Sequence, residues 1–107
     1  MSKRPTPQHK STNDMLADLW AGHERARLEG WPATRRYLEN LLERQGSLAN
    51  AVKFFAWDLL AEAAAQTGDG ERADHAVQQA RSYMASAQED TPREWRQWQP
   101  KLRWFEV

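Results

Sequence analysis

Residues 48–66, LANAVKFFAWDLLAEAAAQ, constrain this chain more than any other stretch. Asn50, Lys53, Asp58, Glu62 and Gln66 are its polar interruptions, and the rest is apolar. A helix apolar around so much of its circumference is stable only when neighbours cover it from several sides. The segment therefore predicts a central, buried helix with the other elements built around it. A length of 107 residues fits one domain with a modest core.

The flanking sequence supplies those neighbours. Ser11 and Asp14 match a capping pattern, so a helix begins near Asn13. Met15, Leu16, Leu19, Trp20, His23 and Ala26 then share one face. Gly30 ends this helix, and Pro32 suits the first turn of a second, where its missing N–H costs nothing. The second helix turns Tyr37, Leu38, Leu41 and Leu42 inward, Arg35, Arg36, Glu39, Glu43 and Arg44 outward, and stops at Gly46. Ser47 is the expected N-cap of the central helix.

After it comes TGDG, residues 67–70. Gly68 can end a helix in the left-handed conformation, and Asp69 or Gly70 can begin the next. The fourth helix, about 71–87, carries a face of mostly small residues: Ala73, Ala76, Val77, Ala80, Tyr83, Met84 and Ala87. Thr91, Pro92 and Glu94 form a capping box for a last segment, which Pro100 should break. Strand signals are absent. The expectation is all-α: about five helices arranged as antiparallel hairpins in a small bundle. Residues 1–11 are expected as a disordered basic tail and 12–107 as one helical domain. That domain divides into a first pair (12–46), a second pair (47–88) and a C-terminal segment rich in Trp and Arg (91–107).

The second pair resembles a tetratricopeptide repeat over residues 54–87. The family pattern W-x2-L-G-x2-Y, a turn, then A-x3-F and Ala is met by Trp57, Leu60, Ala61, Ala64, the Gly68-Asp69 turn, Ala73, Val77 and Ala80. Ala64 stands where the family has Tyr and Val77 where it has Phe, and residues 13–46 do not hold the same register. The resemblance implies a concave face lined by the first helix of each pair. Here that face would present Phe55, Asp58, Glu62 and Gln66 to a partner. Its carboxylates suit a basic or amphipathic helical segment.

Chemistry-bearing constellations are thin. Lys plus Arg and Asp plus Glu are balanced at 15 each, so global charge selects neither nucleic acid nor an acidic membrane. Cysteine is absent, which removes thiol nucleophiles and sulfur-ligated zinc. His9, His23 and His75 show no metal-binding spacing; Glu71 and His75 share a helical face but need further ligands. No catalytic residue, cofactor or metal is expected. No apolar run approaches a membrane span, and the start has no signal-peptide core. The expected setting is cytoplasmic.

The C-terminal PREWRQWQPKLRWFEV alternates Arg93, Arg96, Lys101 and Arg103 with Trp95, Trp98, Trp104 and Phe105. Trp and Arg are the residue types that anchor protein interfaces. They also suit stacking and phosphate contacts with single-stranded nucleic acid. The expected function is a non-catalytic interaction module for another protein or a second copy. A small nucleic-acid-binding regulator using the basic tail and Arg93, Arg96, Lys101 and Arg103 is the alternative.

Overall fold

A computed structural model describes residues 11–102. Residues 1–10 of the tail expected over 1–11, together with Arg103, Trp104 and Phe105, lie outside the described residues. Five α-helices are present there: α1 (Thr12–Arg27), α2 (Trp31–Leu42), α3 (Asn50–Gln66), α4 (Gly70–Asp90) and α5 (Pro92–Trp98). Short 3₁₀ turns occupy Gln45–Ser47 and Gln99–Lys101, and no strand occurs among the described residues. The all-α expectation holds.

α3 is the core. Every residue from Phe54 to Ala61 is buried, and so are Ala51, Val52, Ala63 and Ala64. α4 covers α3 most extensively, followed by α2 and then α1. The remaining side is closed by α5. Its Trp95 ring lies 4.9 Å from Phe54 and 6.0 Å from Phe55, centroid to centroid. Leu16 and Leu19 of α1 and Leu38 and Leu42 of α2 complete the apolar interior.

The connection between α3 and α4 is three residues long, and it returns the chain on itself. Gly68 adopts φ 82°, a conformation that costs glycine nothing and other residues appreciably. The Asp69 amide donates back to the Ala64 carbonyl at 2.9 Å, closing the end of α3. The Asp69 carboxylate then accepts from the Arg72 amide at 3.0 Å, capping α4. At the opposite end of the hairpin, Asn50 donates to Asp90 at 2.8 Å, as antiparallel packing requires. Ala61, Ala76, Ala80 and Ala87 are fully buried, small enough for neighbouring backbones to close on one another.

A charged network joins this turn to α2. Arg35 donates to Glu39 at 3.1 Å, to Thr67 at 3.2 Å and to Asp69 at 2.9 Å. Arg72 donates to the same Glu39 at 3.3 Å. The carboxyl of Asp69 is held below its ordinary range, first by the Arg72 amide and then by the Arg35 guanidinium. α1 and α2 meet just as closely at Gly22, where any Cβ would collide with the ring and hydroxyl of Tyr37.

Three terminal expectations are corrected. α2 ends at Leu42 rather than at Gly46, because the chain tightens into the 3₁₀ turn before reaching the glycine. Ser47 lies inside that turn and donates to the Arg44 carbonyl, so Ala49 takes the N-cap position of α3. The capping box at Thr91 does not form. The Thr91 hydroxyl bonds back to the Ala87 carbonyl at 2.9 Å and finishes α4 instead of starting α5.

Two outcomes follow from these contacts. Trp95→Ala should cost about 3–5 kcal/mol of unfolding free energy in urea titration, the range for removing a large buried aromatic. Because the Asp69 carboxyl is depressed by folding, its contribution is complete above the unfolded carboxylate range and disappears as pH falls through the folded value. Asp69→Asn should therefore flatten the acid limb of stability against pH, measured as the thermal midpoint from pH 7 down to pH 2.

Candidate interaction surface

The face expected to receive a partner is not open. Phe55 is 4% exposed and Asp58 is fully buried. Both belong to the side of α3 that the sequence pattern leaves uncovered in a two-helix unit. Here α3 has neighbours all round, and Trp95 of α5 sits against Phe55. Trp95 is itself buried, at 6% exposure, and is a core residue rather than a contact residue. Glu62 is half-buried and Gln66 exposed, so only the C-terminal end of that expected stripe reaches the surface.

The structure gathers a different surface along the edge of α1. Trp98 is half-buried, with its indole N–H donating to Asn13 Oδ1 at 2.8 Å. Lys101 places its ammonium 5.2 Å from the Trp20 ring and 5.8 Å from the Trp98 ring. Trp20 in turn stacks on His23 at 5.4 Å. One turn further along α1, the Arg27 guanidinium carbon lies 3.6 Å from the centroid of the Trp31 ring. His23, Glu24, Arg27, Trp31 and Glu62 line a cleft of roughly 260 Å³ at this point. His23 is buried, and its Nδ1 lies 3.8 Å from the Glu24 carboxylate.

The result is a strip of two patches, Trp98–Lys101–Trp20 and the Arg27–Trp31 pair with Glu24 and Glu62, joined beneath the surface by the buried His23. Its residue types, indoles beside cations, are those enriched at protein interfaces. Half-exposed indoles offer large apolar area at small entropic cost, and each exposed cation–π contact contributes about 0.5–1 kcal/mol. Of the residues singled out from sequence, Glu62, Trp98 and Lys101 fall on or beside the strip. Arg93 and Arg96 are exposed on α5. Trp31 and Arg27 escaped sequence reasoning. The signal was present, an Arg four residues before a Trp across a glycine turn, but the turn hides the helical spacing that would pair them.

Other expected chemistry is also located. The exposed His75 packs its ring edge-on against Trp57 at 5.6 Å. The Trp57 indole donates to Gln45 at 3.3 Å. Among the described residues no three His, Asp or Glu side chains converge as metal ligands, and no helix is long and apolar enough to cross a membrane. No family model matches the chain, and neither the curated proteins nor the solved structures compared with it yield a match.

The Asn13–Trp98 bond is the polar tie between the first helix and the last. Asn13→Ala removes the acceptor and leaves the indole in place, so it should cost about 0.5–1.5 kcal/mol. Urea titration followed by circular dichroism measures that loss.

Proposed function

We propose that this protein is a non-catalytic protein-interaction module, and that the aromatic strip along α1 receives a helical segment of its partner. The observation that carries this reading is the Arg27–Trp31 stack beside Glu24 and the cleft it borders. A cation–aromatic pair next to a recess has the residue types of an interface anchor. Glu24 and Glu62 at the rim favour a basic residue on the incoming segment, and Trp20 and Trp98 extend the apolar contact. The resemblance of the α3–α4 hairpin to a tetratricopeptide unit belongs to the same proposal. Its support is the burial of Trp57, Leu60, Ala61, Ala64 and Ala80 at positions named by the pattern, with Ala73 and Val77 half-buried. The binding face moves from α3 to α1, because α5 occupies the former.

The test is affinity capture with the whole chain, wild type against Trp31→Ala. A partner retained by the wild type and lost by the variant, with helicity unchanged, supports the module. Equal retention by both sinks the assignment of the strip. The nucleic-acid reading rests on Arg93, Arg96 and Lys101, all exposed on one short stretch. It requires a mobility shift of single-stranded DNA that falls steeply with salt.

A further inference from the structure

The opposite face of α1 carries a second feature. Between α1 and α2 runs a cleft of about 320 Å³ whose floor is Gly22, Ala26 and Ala33 and whose walls include Arg25, Arg36 and Asn40. It shares one wall, Tyr37, with an apolar groove of about 290 Å³ lined by Met15, Leu19, Leu41, Leu48 and Val52. Cavities of small-molecule sites run from about 300 to 1,000 Å³, so the two together are of that size.

Two observations give the pair a direction. Among the described residues, Arg25 and Arg36 have no carboxylate within ion-pair distance. Glu29 lines the same cleft without engaging either, so the polar end carries one net positive charge. The groove beyond Tyr37 has charge only at its rim, from Asp18 and Arg44. We propose that this cleft and groove bind a single-chain anionic amphiphile, its acid head between Arg25 and Arg36 and its alkyl chain along the groove past Tyr37.

The walls argue for an alkyl chain rather than a peptide. Both recesses are lined by residues of helices or of a helix approach, and helical backbone groups are already bonded to each other. An extended peptide would find no main-chain partners there, whereas a hydrocarbon needs none. Guanidinium groups are the natural partners of a carboxylate or phosphate head. Asn40 and the Tyr37 hydroxyl stand beside them as further donors. Burial raises the Tyr37 phenol above its ordinary value, which keeps that donor protonated throughout the neutral range.

Calorimetric titration of the whole chain tests the assignment, using dodecanoate, dodecyl phosphate and dodecyltrimethylammonium below their critical micelle concentrations. At least one anion should bind saturably and about tenfold or more tighter than the cation, the scale of charge-assisted hydrogen bonds to the head. The tighter of the two anions identifies the head group. Arg25→Ala/Arg36→Ala alters only exposed side chains and should lose that tenfold while helicity stays unchanged. Binding should survive Trp31→Ala, which separates this site from the strip on the other face of α1. Equal affinity for cation and anion, no saturable binding of either anion, or undiminished binding by the double arginine variant overturns it.

Discussion

Everything in this fold depends on covering α3. A helix with Ala, Val, Phe, Trp and Leu around most of its circumference cannot lie at a surface without leaving several large side chains in water. One hairpin partner is insufficient, since α4 covers only one side. α2 and α1 take the second, and the short α5 with Trp95 takes what remains. The apparent interaction stripe of α3 is thereby consumed by the fold itself. Surface chemistry is displaced outward to α1, whose two faces then carry distinct character: indoles and stacked cations on one, guanidinium groups and an alkyl-lined groove on the other.

The glycine–aspartate turn does more than reverse the chain. Asp69 caps α4 through its own carboxylate and at the same time receives Arg35 from α2. One residue therefore couples a local backbone feature to the relative placement of two hairpins. Glu39, shared by Arg35 and Arg72, extends the tie. Each pair is partly solvated and individually modest. Their convergence on the turn makes the network a device for orientation more than for raw stability.

Sequence reasoning reached the features that depend on local chemistry. Ser11 caps α1, Gly68 takes the left-handed position and Asp69 starts α4, because each follows from one residue's own conformational or hydrogen-bonding preference. The centrality of α3 was legible for a similar reason, as its composition leaves only a narrow polar stripe. The positions of Phe55 and Asp58 were not legible. The burial of Phe55 depends on Trp95, 40 residues later in sequence, returning to α3, which periodicity within α3 does not encode. Ser47 and Thr91 show the limit of cap patterns: both hydroxyls found a carbonyl in the preceding turn and were withdrawn from the helix that follows. The strip along α1 is a relation among helices, and no single stretch of sequence contains it.

The bond between Asn13 and Trp98 spans 85 residues, and that between Asn50 and Asp90 spans 40. Loop-closure entropy rises only by about 0.6 kcal/mol for each doubling of length. Stitching the last helix to the first therefore costs scarcely more than fastening the far end of the α3–α4 hairpin. α4, α2, α1 and α5 surround α3, and the Asn13–Trp98 bond fastens the last of them to the first. A row of hairpins leaves an uncovered helix at each end. Enclosure of α3 by the others is how a small set of helices seals so apolar a centre.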